Sequence, residues 1–256
     1  MKKLVLLFGI TLFMLNTNAQ LGSLMIGVSG KVGTTKGSSF EKFVTSYNNA
    51  NPTNKSKLPN FGSCTGWAIN ADWWFKEGIF MGYYQHKISA YAASQINEYY
   101  TREFYLTQRS WGADFGGGVI QDNNGIAGFF GVYYASAVLT SGIKYRDGYK
   151  SIGNDGILNG IYHGFGFSGS LGVKAFQLIG PVAISSSVRW CPMSGIIEMS
   201  DYGKGSNNKN ALLYLPEDLS GIAGGPNSYQ GKNVKASFQS FFFDLGIAIN
   251  LSGIFK

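Results

Sequence analysis

Apolar residues recur at every second position along much of the chain, and this period of two constrains the fold more than any other feature. Residues 162–176 show it most clearly, because Phe165, Phe167, Leu171 and Val173 alternate with glycine, serine and lysine. Successive side chains of a β-strand point to opposite faces, so each such segment has one apolar face and one face of small residues. The period therefore predicts strands rather than helices.

Eight segments of this kind are separated by short turns and long loops in strict alternation. The turns lie at residues 76–78, 122–125 and 179–181, and the loops at 33–61, 91–102, 140–161 and 192–235. All turns thus fall at one end of the strands and all long loops at the other. The third and fifth strands are apolar on both faces, so their orientation stays open. The predicted strands cover residues 23–32, 62–75, 79–90, 103–120, the segment from the second turn to 139, 162–176, 182–191 and 236–251.

The residue types on the two faces indicate the surroundings of the strands. Charged residues make up 14% of the chain, against about 25% in an ordinary soluble domain. One face is repeatedly aromatic, and the other consists mainly of small, uncharged residues. Strands can cross a membrane only as a closed barrel, because lipid offers no partner to a backbone hydrogen-bonding group. A secreted β-sandwich also alternates and is the other candidate.

The sequence therefore predicts an all-β fold: an eight-stranded antiparallel up-and-down transmembrane β-barrel with short periplasmic turns and long surface loops. Aromatic residues near the strand ends are expected to form girdles at the membrane interfaces. These residues are Trp73, Phe75, Trp111 and Trp190.

Residues 1–19 have the pattern of a cleavable signal peptide. Two lysines precede an apolar run from Leu4 to Leu15, and Ala19 is a small residue at the cleavage position. The run is shorter than the roughly 20 residues of a membrane-spanning helix. We predict a signal peptide at 1–19 and a barrel domain at 20–256, located in the cell outer membrane.

The last predicted strand resembles the assembly signal that outer-membrane barrels present to their insertion machinery. The signal places a polar residue, a glycine and two hydrophobic residues in the spacing of Asp244, Gly246, Ile249 and Leu251. The chain departs from the pattern because residues 252–256 follow, without a terminal aromatic residue. The whole layout is similar to the small barrels of the outer-membrane-protein beta-barrel superfamily, and the signal peptide resembles those common in Bacteroidota. The resemblance implies a location and a fold, and no activity.

Six charged residues fall on the face that would point into the barrel. A buried charge needs a partner, and Arg189 and Asp244 lie on adjacent predicted strands at similar heights, so we predict that they contact each other directly or through water. Eight strands enclose a space that side chains nearly fill. An ion-pair network that fills the lumen is therefore the main prediction, and a selectivity lining is the alternative. The network comprises Lys31, Asp72, Asp114, Lys174, Arg189 and Asp244.

Cys64 begins the second predicted strand and Cys191 ends the seventh. An exported chain meets an oxidising compartment that favours disulfides. A bridge between these strands would have to cross the lumen, and the two Cα atoms would have to come within about 7 Å. We predict two buried free thiols, with the disulfide as the alternative.

No catalytic, cofactor or metal site is predicted. Residues 164–169 spell Gly-x-Gly-x-x-Gly, but they lie within a strand that no helix follows. His86 and Ser89 fall on opposite faces of a strand, and His163 has Phe165 rather than a serine two positions later. We therefore predict that the chain is not an enzyme and binds no cofactor.

The long loops at 33–61 and 192–235 are the expected interaction surfaces. The first is basic, with Glu41 as its only acidic residue, so either it contacts lipopolysaccharide phosphates or it is simply solvated. The second contains the apolar stretch 211–215, which is suited to capping the barrel or docking on a partner. The lysines of the first loop are Lys36, Lys42, Lys55 and Lys57.

These features predict a structural or interaction protein that acts through its surface loops, with membership of an envelope complex as one form of that role. A small pore or ligand channel is the alternative. The expected partners are outer-membrane lipid, lipopolysaccharide, the barrel insertion machinery and a protein bound by loops 33–61 and 192–235. We expect no nucleic acid.

Overall fold

The computed structural model describes residues 21–75, 78–148, 150–151, 160–194, 197–198, 200–201, 211–212, 235–236 and 238–252. The predicted signal peptide and most of the loop at 192–235, including the greater part of its apolar stretch, lie outside the described residues. So do residues 152–159 of the loop at 140–161.

Eight antiparallel strands form a closed ring, which confirms the predicted fold class. Each strand pairs with the next along the chain, and the last pairs with the first. Closure leaves none of the eight strands with an open edge. The strands are β1 (Leu21–Gly37), β2 (Ser63–Phe75), β3 (Ile79–Gln95), β4 (Tyr100–Gln121), β5 (Asn124–Tyr145), β6 (Gly160–Ile179), β7 (Val182–Ser194) and β8 (Phe238–Asn250).

The structure also contains elements that the sequence did not predict. Helix α1 (Ser38–Ala50) follows β1 directly, so the loop expected at 33–61 is only partly irregular. Among the described residues, no helix is long and apolar enough to cross a bilayer. Short two-residue strand segments lie in the loop regions, at Lys150–Ser151, Ile197–Glu198, Ser200–Asp201, Ala211–Leu212 and Lys235–Ala236.

The outward faces of the strands carry an apolar belt. It runs from Trp67 to Trp73 on β2, from Trp111 to Val119 on β4, and from Phe241 to Ile249 on β8. The spans on β4 and β8 match the roughly 9–11 residues that a tilted strand needs to cross a bilayer. A closed barrel with such a belt, short turns at one end and longer connections at the other is a transmembrane barrel of the outer-membrane type. The predicted location in the outer membrane agrees with this architecture.

The faces of β3 and β5, which the sequence left open, are now assigned. Phe80, Tyr84 and Ile88 of β3 are buried in the lumen, as are Tyr133 and Leu139 of β5. These aromatic and aliphatic side chains fill the barrel rather than face lipid. Of the predicted girdle residues, Phe75 is also buried and only 6% exposed, so it does not belong to the outer surface.

Strands β3, β4 and β5 extend well beyond the belt on the loop side. β4 and β5 each contain 22 residues and pair from Gln121↔Asn124 up to Tyr100↔Tyr145. Residues 96–99 alone connect β3 to β4, so the loop predicted at 91–102 is mostly strand. We call residues 91–105 and 140–145 the β3–β5 ridge.

The closed ring predicts heat-modifiable migration. We expect the detergent-purified protein to migrate faster in an electrophoresis gel when it is not boiled, because the hydrogen-bonded ring resists unfolding by detergent at room temperature. Equal mobility before and after boiling would contradict a closed barrel.

Candidate functional site

Arg189 lies at the centre of a charged layer in the lumen. Its guanidinium, which is fully buried, donates from Nη1 and Nη2 to the two carboxylate oxygens of Asp114 at 2.9 and 2.8 Å. Nη1 also contacts Tyr133 and lies 3.0 Å from Ser170 Oγ. The Cζ atom lies 3.9 Å from the centroid of the Tyr84 ring. The charge therefore has a two-point ionic partner and an aromatic face within the lumen.

Two further ion pairs lie in the same layer. Lys31 Nζ is 2.7 Å from Asp244 Oδ1, and Lys174 pairs with Asp72. The Tyr84 hydroxyl donates to Asp244 at 2.8 Å. The structure thus brings all six predicted network residues into the lumen as three pairs of opposite charge, and each buried charge has a counter-charge next to it.

The predicted contact between Arg189 and Asp244 is replaced by two separate pairs. Asp244 lies directly opposite Lys31 in the strand register. Its nearest cation is therefore on β1 and not on β7, the strand of Arg189. Arg189 lies opposite Phe242 on β8, and its long side chain reaches across the lumen to Asp114 on β4. The sequence prediction considered only residues on adjacent strands. It missed Asp114 because a narrow barrel also brings distant strands within reach of one side chain.

An aromatic floor closes the lumen at the end with the short turns. Trp74 packs against Phe80 and Phe176 with ring centroids 4.8 Å apart in both contacts. Phe129 packs on Phe80 at 6.3 Å. The buried members of this floor are Met25, Trp74, Phe80, Ala127, Phe129, Phe176, Ala183 and Ala248.

A helical cap closes the lumen at the end with the long loops. Phe40 of α1 stacks on Phe61 with centroids 4.4 Å apart, and Phe43 packs against Phe104 of β4 at 5.5 Å. Asn48 fixes the segment after the helix, because its side chain donates to the Leu58 carbonyl at 2.9 Å and accepts from the Leu58 amide at 2.8 Å. The cap comprises Phe40, Phe43, Val44, Tyr47, Leu58, Phe61, Phe104, Leu106, Leu139 and Phe238.

A small cavity remains between the charged layer and the cap. It has room for about one water molecule, and its lining includes His86, Gln108 and Cys191. Cys64 and Cys191 are both buried and free. Among the described residues, no group of three or more His, Cys, Asp or Glu side chains is placed to hold a metal ion.

The four residues of the proposed assembly signal lie in β8 or just beyond it. Asp244 is buried in its ion pair, and Ile249 faces outward with 57% of its surface exposed. Gly246 is required by the fold, because a Cβ atom there would lie 2.3 Å from the Val28 carbonyl oxygen and 2.6 Å from Ser29 Cβ. These positions do not test a role in assembly, which therefore stays a prediction.

The remaining candidate motifs occupy ordinary positions in the barrel wall. Residues 164–169 lie within β6, which continues as a strand to Ile179. His86 is buried in the lumen, whereas Ser89 is exposed on the outer face. His163 is partly exposed at the loop side of β6. The described wall therefore does not bring His86 and Ser89 together.

Several residues that shape the lumen were missed from the sequence. Tyr84 and Tyr133 bind the charged layer, but they lie on the two strands whose faces could not be assigned. Helix α1 had a readable signal, because Phe40, Phe43 and Tyr47 follow the spacing of an amphipathic helix.

No family model and no curated protein matches the chain. The chain is similar in structure to several solved outer-membrane proteins, including OprG, Ail and OmpT. OprG from Pseudomonas aeruginosa is 8% identical and covers 91% of this chain and 97% of its own length, with a TM-score of 0.45. Ail, the attachment invasion locus protein of Yersinia pestis, solved in complex with the heparin analogue sucrose octasulfate, is 10% identical over 90% of this chain and 99% of its own, with a TM-score of 0.41. The protease OmpT from Escherichia coli is 10% identical over 92% and 99%, with a TM-score of 0.34.

The presence of a protease among these barrels corrects one prediction. The prediction that the chain is not an enzyme does not stand, because one of the similar solved proteins, OmpT, is an outer-membrane protease. The barrel fold by itself shows neither that the chain has catalytic activity nor that it lacks it.

The charged layer predicts a strong asymmetry between single and double variants. Arg189→Ala is expected to destabilise the barrel by about 3–5 kcal/mol, because it leaves Asp114 buried without its cation. Replacing both residues by apolar ones, Arg189→Met with Asp114→Leu, is expected to cost less than the sum of the single changes. Urea unfolding of the barrel in lipid vesicles, followed by tryptophan fluorescence, measures both.

Lys55 and Glu98 provide the matched control, because they form an ion pair of 3.0 Å whose side chains are 49% and 65% exposed. Lys55→Ala is expected to cost about 0–1 kcal/mol. A strictly additive Arg189 and Asp114 double variant would contradict the coupling of the buried pair.

Proposed function

We propose that the chain is a closed outer-membrane barrel that acts as a structural or interaction protein and presents its loop-end surface to a partner outside the membrane. The observation that carries this proposal is the filled lumen. The aromatic floor, the charged layer and the helical cap follow one another through the described part of the barrel. A barrel filled in this way serves as a rigid support, and its function then lies on its surface.

The β3–β5 ridge is the proposed contact surface. Its exposed tyrosines include Tyr99 and Tyr100, which are 56% and 38% exposed. Tyr100 packs against Tyr145 with ring centroids 5.2 Å apart, so the rings are held in place on paired strands. Tyrosine is enriched at protein interfaces because it combines a large apolar ring with a polar tip.

The proposed contact of loop 33–61 with lipopolysaccharide depends on its exposed lysines. Lys55 already pairs with Glu98, whereas Lys36 and Lys57 are exposed. We therefore assign this contact to Lys36 and Lys57. The other proposed partners are outer-membrane lipid, the insertion machinery, which would read the segment from Asp244 to Leu251, and a protein at the surface loops. Residues 1–19 are the proposed export signal.

A conductance measurement tests the filled lumen. We expect no stable unitary steps in a planar bilayer from the purified protein. The variant Phe40→Ala with Phe43→Ala weakens the cap but leaves the charged layer and the floor in place, so it is also expected to stay silent. Thr45→Ala, on the exposed side of α1, is the matched control. Stable steps from the unmodified protein would favour the pore instead.

A co-purification experiment tests the ridge. After cross-linking in native outer membranes, we expect a protein partner to be recovered with the unmodified chain and lost with Tyr99→Ser and Tyr100→Ser, because the aromatic contact area is removed. Asp122→Asn, at an exposed turn at the opposite end of the barrel, is expected to recover the partner as well as the unmodified chain. Equal recovery by the ridge variant would count against this surface.

A further inference from the structure

Two cations lie opposite each other on the outer wall of the barrel. Lys87 of β3 is the register partner of Arg109 of β4. Both point outward, because their strand neighbours His86 and Gln108 are buried in the lumen. Like charges directly opposite each other destabilise a sheet. Within the described part of the chain, neither Lys87 nor Arg109 belongs to an ion pair.

The pair lies just beyond the apolar belt on the loop side. On β4 the belt ends at Trp111, and Arg109 is the next outward position. Gln85 is the register partner of Trp111, and Lys87 is the next outward position after Gln85 on β3. Because the belt corresponds to one membrane crossing, the two cations lie at the headgroup level of the outer leaflet.

Five of the six other strands carry no lysine or arginine at the corresponding height. The outward residues that follow the belt towards the loop side are Thr34, Thr65, Ser136, His163 and Gln239 on β1, β2, β5, β6 and β8. The cationic patch is therefore local to β3 and β4 and does not continue around those strands as a ring of surface charge.

An exposed aromatic surface lies next to the cations on the membrane side. Trp111 packs against Tyr134 with ring centroids 4.7 Å apart, and Tyr134 packs against Phe167 at 5.9 Å. Phe167 is 71% exposed. A ligand that fits both the cations and the aromatic surface carries an anionic group on the loop side and acyl chains on the membrane side.

We propose that Lys87 and Arg109 bind a phosphate of the phosphorylated glycolipid of the outer leaflet, the lipid A part of lipopolysaccharide, whose acyl chains lie against Trp111, Tyr134 and Phe167. A guanidinium offers two parallel donors to a phosphate, and an ammonium adds a second positive charge. The phosphate also removes the repulsion between the two cations. The site is separate from the loop lysines and stands whether or not a protein partner binds the ridge.

Native mass spectrometry of the full-length protein in detergent tests the site. The probes are diphosphoryl lipid A and its chemically dephosphorylated form. We expect the unmodified protein to retain the phosphorylated probe and the variant Lys87→Gln with Arg109→Gln to retain about tenfold less, because two charge-assisted contacts are lost. The dephosphorylated probe is expected to bind both proteins equally weakly.

The matched control is Lys144→Gln with Arg146→Gln, which removes one lysine and one arginine from the exposed loop end and is expected to retain the probe like the unmodified protein. Faster migration without boiling verifies that each variant is folded. Equal retention by the Lys87 and Arg109 variant would overturn the site. Equal retention of phosphatidylglycerol and diphosphoryl lipid A by the unmodified protein would overturn the assignment to the glycolipid.

Discussion

Closure of the ring between β1 and β8 is the constraint on which the rest of the structure depends. In lipid every backbone N–H and C=O must find a partner within the protein, and the last open edges belong to the first and last strands. Their ladder runs from Met25↔Asn250 to Gly37↔Phe238. The Lys31–Asp244 ion pair lies in this ladder as a direct register pair, so one of the buried charges ties the two ends of the sheet together.

A ring of eight strands leaves a lumen that side chains must fill, and the charged layer fills it in a particular way. Apolar residues would fill the same space without the cost of removing charges from water, and replacing a buried ion pair in this way is often neutral or stabilising. The ion pairs do something that apolar packing does not. Arg189 of β7 with Asp114 of β4, and Lys174 of β6 with Asp72 of β2, join strands that are not neighbours. They therefore tie opposite sides of the barrel wall to each other across the lumen.

The parity of six of the eight strands could be predicted from the sequence, and so could the inward set of charges, because both depend only on the period of two. The partner of each charge could not, because Arg189 reaches across the lumen and sequence gives no distance between non-adjacent strands. The lumen positions of Tyr84 and Tyr133 could not be predicted for a different reason, because an aromatic residue can face either the lipid or the lumen. Helix α1 was missed because the prediction for loop 33–61 considered its charges and not the helical spacing of Phe40 and Phe43.

The helical cap shows how the surface depends on the interior. Helix α1 has 13 residues, and Gly37 at its N-cap makes no side-chain capping bond. A helix of that length is marginal by itself in water, so its stability comes from the contacts of Phe40 and Phe43 with the barrel. Its outer face, with Glu41 and Thr45 exposed, is consequently held in a fixed orientation by the filled lumen below. Loss of the packing beneath α1 would therefore disorder the surface offered to a partner before it affected the ring itself.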